Sequence, residues 1–358
     1  MVDERESFED RDEGSMKAVV WIGTERMELR ELPQPKLGDG EVLIRTRATV
    51  VCGTDLHIYR GLFRGLKPPR VLGHEFSGEV VETGDAVKRT AVGDRVTVDP
   101  VLSCGECHFC SEGHTILCEK GDLVNVIGFV RDGAYAEYVA VPEKNAYPMP
   151  NNMTYERGAF VNTLACPLYA LRRVGVRRGD FVVVLGSGAA GLFFIQLSKL
   201  MGAGTVVSTD VSPSKLEVAT RLGADAGINV QEKDPVSEVM NMTSGRGADI
   251  VIEAVGTPET AQQVVPLAGK QGKVIIFGVF EAPVNEIPFE DIRAKDLEIY
   301  GIAGYNTSIY PEAISLLASS KVDVDTMITH RFRLEEVPTA FNLINRRLKD
   351  FGKVLVVQ

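Results

Sequence analysis

A chain of 358 residues is long for a single core, and 44% hydrophobic with 25% charged residues is the composition of a folded globular protein. The formal net charge of −10 excludes nucleic-acid binding carried by phosphate neutralisation. No apolar run of about 18 residues is present to span a bilayer and no basic-then-apolar leader opens the chain, so a cytoplasmic protein is expected.

Residues 1–15 carry seven acids and two bases with no apolar period, and read as a disordered acidic tail without an assigned function. From Met16 to about Thr163 short runs such as KAVVW, EVLIRTRATV, FSGEVVETG and AEYVAV are broken by Gly, Pro and Asp, which predicts a β-rich domain. The rhythm then changes. Apolar strands at Phe181–Leu185, Val206–Asp210, Asp249–Ala254, Lys273–Gly278 and Leu297–Ile302 alternate with helical segments, including ones near 191–201 and 214–222. Strands apolar on both faces predict an α/β unit, a doubly wound parallel sheet covered by helices. The last fifty residues end in the strand GKVLVVQ, so 16–163 and 306–358 are expected to form the β-rich domain around an inserted 164–305 unit.

Six cysteines in such a chain are expected as thiols or metal ligands rather than disulfides. Cys104, Cys107, Cys110 and Cys118 crowd into fifteen positions, with spacings of two, two and seven intervening residues. Four thiolates at that spacing suit one tetrahedral Zn²⁺ and leave no open position, so the site is structural. His108 and His114 in the same loop read as exposed loop residues.

Gly186, Gly188 and Gly191 form a GxGxxG turn between the strand FVVVL and a helix, with Asp210 nineteen residues beyond Gly191 at the end of the next strand. The glycines permit a tight turn and close approach of a pyrophosphate to the helix N-terminus. Asp210 suits the adenosine ribose hydroxyls of NAD and would repel a 2′-phosphate.

Cys52, Thr54 and His57 in one segment, and His74 and Glu75 in another, supply the donors of a second, open zinc site. Cys52 as a buried small hydrophobe and His74 as a satisfied core histidine are the bland readings of each taken alone. As a set they suit a metal that activates a hydroxyl, with Thr54 and then His57 carrying its proton away.

These three signals in this order resemble the zinc-containing medium-chain alcohol dehydrogenase family, in its sorbitol- and threonine-dehydrogenase-like branch, over Met16–Gln358. The resemblance implies a GroES-like catalytic domain holding both zincs and a Rossmann domain binding NAD. It implies that Cys52 and His74 ligate catalytic zinc, that Asp55 orients His74, and that Glu75 is a third ligand or lies behind the site. Asn162 falls where the family places a further Cys, Glu or Asp ligand, so Asn162, Cys166 or water completes the set. Ala190, Lys215, Gly256, Gly278, Val279 and Tyr305 are assigned with the glycine turn and Asp210 to the dinucleotide. The family's polyol-binding arginine is replaced by Gly304, which argues against sorbitol itself. The implied activity is NAD⁺-linked oxidation of a secondary hydroxyl on a small polar alcohol such as a polyol, cyclitol, aminocyclitol or sugar. L-Threonine 3-dehydrogenase, and a non-catalytic NAD-binding protein with one structural zinc, are the alternatives. The basic stretch 60–70 reads as a solvated loop or as the mouth of a cleft for an anionic substrate. A homodimer or homotetramer, joined along the sheet edge at Leu297–Ile302, follows from the resemblance.

Overall fold

The computed structural model describes residues 14–63, 65–121, 125–280, 282–346 and 352–358. Most of the expected acidic tail, residues 1–13, lies outside them. Ser15 already belongs to the first strand, Ser15–Gly23, because it pairs with Pro33 across a hairpin.

In Glu41–Val50 the residues Val42, Ile44, Ala48 and Val50 are buried at even spacing, as one face of a strand requires. This strand is the hub of a seven-stranded sheet. It pairs antiparallel with Glu75–Thr83, with Tyr138–Pro142 and with the C-terminal strand Lys353–Val357. Register matters here, since Val50 lies opposite both Glu75 and Leu355. The chain therefore leaves one strand at Cys52 beside the point where it enters the next at His74, with Lys353 arriving from the third.

Val182 and Val184 pack into one core while Phe181, Val183 and Leu185 pack into another, so this strand is covered on both faces. It lies inside a six-stranded, all-parallel sheet. The strand order is Ala226–Asn229, Thr205–Asp210, Phe181–Leu185, Ala248–Glu253, Ala268–Ile276 and Glu298–Gly301. The chain order reverses between the third and fourth of these, which opens a crevice at their carboxyl ends, the usual ligand site of such sheets. The Ala226–Asn229 strand escaped the sequence because its four residues include Gly227 and Asn229 and carry no apolar run.

The helix Val161–Val174 links the two parts, and its largest core contributes Ala48 and Leu355 from the first sheet alongside Val184 and Ile252 from the second. The cysteine loop reaches across as well. Asn306 donates to the carbonyl of Glu112 at 2.6 Å, and the Thr307 N–H donates to Gly113 at 3.0 Å.

Candidate active site

Cys52 precedes the helix Gly53–Tyr59, and its N–H donates to Asp55 Oδ2 at 3.2 Å. The ligand atoms of Cys52, His74 and Glu75 lie within 4.8 Å of one another. A thiol, an imidazole and a carboxylate at that separation suit a single Zn²⁺. Asp55 is fully buried, accepts from Tyr135 Oη at 2.9 Å, and stands 3.3 Å from His74 Nδ1, off the ideal hydrogen-bond direction. That contact leaves Nε2 as the ring nitrogen available to a metal. Burial disfavours an imidazolium at His74, yet Asp55 and Cys52 outweigh it and raise its pKa well above the ordinary value. Burial likewise pushes Asp55 up, and His74, Tyr135 and the Cys52 N–H reverse that and hold its carboxyl below the usual range. The pocket's negative potential thus suits a cation.

Lys353 also reaches this cluster, which its place in the sequence did not announce. It is buried, and its Nζ lies 3.2 Å from both Glu75 Oε2 and the Val51 carbonyl. Burial alone would lower its pKa, but Glu75 and Cys52 raise it, so it remains an ammonium. In sequence it is only the polar first residue of an apolar strand; the pairing of Lys353–Val357 beside Glu41–Val50 is what carries it inward.

Thr54 and His57 stand three residues apart on the Gly53–Tyr59 helix, hence on one face of it, both partly exposed. Asn162 opens the Val161–Val174 helix, and the Tyr305 hydroxyl lies 2.7 Å from its Oδ1 and 2.7 Å from Asp99 Oδ1. A phenol has one proton and cannot donate to both. With the Asn162 amide turned about its terminal bond, Nδ2 donates to Tyr305 and Tyr305 donates to Asp99. Tyr305, expected with the dinucleotide, is buried, and its hydroxyl joins Asp99 to Asn162. Burial pushes Asp99 up to about 6. Cys166 is a neutral thiol, pushed up by burial and then by Glu75 and Cys52.

The four clustered cysteines also form one group with ligand atoms within 4.8 Å of one another, and all six cysteines are free of disulfides. Backbone N–H groups of Glu106 and Cys107 point at Cys104 Sγ, at 3.5 and 3.3 Å, and lower that thiol to about 6. Burial drives Cys110 the other way, to about 12. Four sulfurs converging with amide donors on their outer side make a tetrathiolate nest.

Gly186 adopts φ +96°, and a Cβ on Gly191 would sit 1.9 Å from the Gly186 carbonyl, so the helix Ala189–Leu200 packs against the turn without a side chain between. Asp210 is held by the N–H groups of Ser187 at 3.0 Å and Ser212 at 2.9 Å. It faces a cleft of about 950 Å³ that also takes in Gly186, Val211 and Glu232. A second cleft of about 360 Å³ joins Gly188, Ala189 and Lys215 to Gly53 and Lys353. Ala190 lies in the first turn of the same helix, while Gly256, Gly278 and Val279 lie on loops leaving the next two strands.

In the basic stretch, Arg60 donates to Asn345 at 2.7 Å and Arg70 pairs with Asp132 at 3.3 Å, while position 64 lies outside the described residues.

Residues 38–151 match the alcohol dehydrogenase GroES-like domain, and residues 189–319 match the zinc-binding dehydrogenase domain. The chain is 33% identical to sorbitol dehydrogenase of Bacillus subtilis (strain 168), covering 96% of this chain and 97% of that protein. It is 36% identical to L-threonine 3-dehydrogenase of Pyrococcus furiosus, covering 92% and 94%. A putative zinc-binding dehydrogenase from Sinorhizobium meliloti 1021, solved with NADP, superposes with a TM-score of 0.89 at 35% identity, covering 97% of this chain and all of that one. With two thiolate-bearing metal nests, a GxGxxG turn at the switch point of a parallel sheet, and this likeness along almost its whole length, the chain belongs to the zinc-binding, GroES-like medium-chain alcohol dehydrogenase family and is a nicotinamide-linked alcohol dehydrogenase.

Proposed function

We propose that this enzyme uses NAD⁺ to oxidise a secondary hydroxyl of a small polar alcohol, a polyol, cyclitol, aminocyclitol or sugar, to the ketone. The observation that carries the reading is the Cys52, His74 and Glu75 cluster beside the cleft that runs from Gly53 to the glycine turn. Zinc held there supplies Lewis acidity to a hydroxyl, and NAD⁺ supplies the hydride acceptor.

The protein's own part is positional and protonic. Asp55 and Tyr135 fix the His74 ring, and Lys353 balances the charge of Glu75. Thr54 accepts the substrate's hydroxyl proton and His57, one helical turn on, delivers it to solvent. Asn162 brings no charge to the site, so Cys52, His74 and Glu75 would hold the zinc and leave it open to a hydroxyl. Asp210, with both its oxygens held toward backbone N–H groups, receives the ribose hydroxyls, and the apolar, exposed Val211 beside it offers nothing to a 2′-phosphate.

The test follows reduced-nicotinamide absorbance with polyols, cyclitols, sugars, L-threonine and simple alcohols, each with NAD⁺ and NADP⁺. Turnover of about 1 s⁻¹ or faster with a polar secondary alcohol and NAD⁺ is expected. His74→Ala should abolish it and release one of two zincs by metal analysis, with unchanged circular dichroism. Wild-type kcat in that variant overturns the metal assignment. The Glu298–Gly301 strand ends the parallel sheet with Ile299 about half exposed, and we propose that two copies join along it. Ile299→Lys should then halve the mass seen in sedimentation.

A further inference from the structure

Glu253 is the last residue of the Ala248–Glu253 strand, which lies next to the strand feeding the dinucleotide turn, and its side chain is fully buried. Among the described residues no lysine, arginine or histidine lies within ion-pair distance of it. All four of its side-chain contacts bring donors. Oε1 accepts from the N–H groups of Val255 at 2.9 Å and Gly256 at 2.8 Å, and from the Thr260 hydroxyl at 2.7 Å; Oε2 accepts from the Gly278 N–H at 3.2 Å. Three backbone N–H groups, which can only donate, converge on its two oxygens, a setting suited to a carboxylate.

These donors come from three separate pieces of chain. Val255 and Gly256 form the turn after one strand, Gly278 the turn after its neighbour, and Thr260 the first part of the helix Pro258–Leu267. The two turns touch through bare backbone. Gly256 has φ +86°, and a Cβ there would lie 2.3 Å from the Val279 carbonyl. On Gly278 a Cβ would lie 2.3 Å from the Gly256 nitrogen and 2.4 Å from Glu253 Oε2. Val255 in turn reaches the glycine turn, where a Cβ on Gly186 would meet its Cγ2 at 2.6 Å. One buried carboxyl group therefore gathers the loops at the carboxyl ends of the strands beside the switch point, where no basic side chain among the described residues pairs with it.

We propose that Glu253 is a positioning residue for the redox end of the dinucleotide, and that its fixed charge favours the oxidised, cationic ring over the reduced, neutral one. The inference rests on the reading above that Gly256, Gly278 and Val279 belong to the dinucleotide site, and it assigns them to the nicotinamide end of that site. Its physical basis is that a buried anion is poorly screened and acts on a cationic ligand but not on a neutral one of the same shape. Loosening of the loops, by contrast, weakens both forms alike.

The experiment measures Kd for NAD⁺ and NADH on the zinc-loaded enzyme, for wild type, Glu253→Gln, Glu253→Asp and Thr260→Val. In Glu253→Gln, Kd for NAD⁺ should rise about tenfold and that for NADH about threefold or less. Glu253→Asp and Thr260→Val keep the charge and disturb only the geometry, so both values should rise by one common factor. An unchanged NAD⁺-to-NADH ratio in Glu253→Gln overturns the charge effect, and unchanged affinities in all three variants overturn the positioning role. Should Glu253→Gln not fold, Glu253→Asp and Thr260→Val decide the positioning role alone. A wild-type enzyme that binds neither nucleotide refutes the proposed function itself, whereas wild-type binding with unmoved variants refutes only the role of Glu253.

Discussion

Removing one partner of a buried ion pair costs more than the pair contributes, because the survivor stays buried without compensation. Lys353 and Glu75 are such a pair, with side chains 8% and 3% exposed. In the metal-free protein Lys353→Met should therefore cost about 3–5 kcal/mol of unfolding free energy in urea titrations, and Lys353→Arg should recover part of it. Asp99 gives a prediction of the opposite kind. Its folded pKa, about 6, stands above the reference of 3.8 because burial disfavours the anion, so the folded state binds the proton more tightly than the unfolded one. The associated stability is fully present below the unfolded pKa and is lost as pH rises through about 6, some 2–3 kcal/mol in all. Asp99→Asn should lack that decline, and comparing the two proteins in urea on either side of the window will show it. Of these residues Glu75 was visible in the sequence as a metal donor. Lys353 and Asp99 were not, since their roles depend on partners roughly 280 and 200 positions away, Glu75 and Tyr305.

Single elements were the more legible level wherever backbone conformation dictates residue type. The turn Gly186–Gly191 announces itself because only glycine allows the 1.9 Å approach that a Cβ at Gly191 would otherwise make to the Gly186 carbonyl. Gly191→Ala must push the Ala189–Leu200 helix off the sheet. A loss of about 1–3 kcal/mol, read from the urea midpoint, is expected together with weaker NAD⁺ binding by calorimetry. The cysteine loop was legible for a different reason: four thiols so close in sequence have few other uses. Its amide-to-sulfur contacts on Cys104 place the thiols for a metal, so Cys107→Ser should lose one zinc while His74 keeps the other. If both metals leave together, the two nests are not independent. Strand ends were less well marked, as the Ala268–Ile276 strand starts five residues before the apolar run that betrays it, through Ala, Gly, Lys, Gln and Gly.

At the scale of the molecule, the alternation of strands and helices from Phe181 onward was enough to foresee a doubly wound sheet, and the apolar ending GKVLVVQ was enough to foresee a return to the first domain. What periodicity could not convey was how the two parts are held together. The Val161–Val174 helix, the Tyr305 chain to Asn162 and Asp99, and the contact of Asn306 with Glu112 are all made between segments remote in sequence. Asn306→Ala should leave each sheet intact and loosen only their junction. Faster amide exchange in 110–117 and 302–307, with the strand cores unchanged, is the expected record.

The same junction limits how substrate range can be altered. At Gly304 a Cβ would come within 3.1 Å of Ile116 in the cysteine loop. A larger side chain grafted at 304 alone would wedge the loop outward and carry Asn306 and Tyr305 with it. Reshaping the cleft that these two residues line therefore has to treat positions 116 and 304 as one unit, shrinking the first as the second grows.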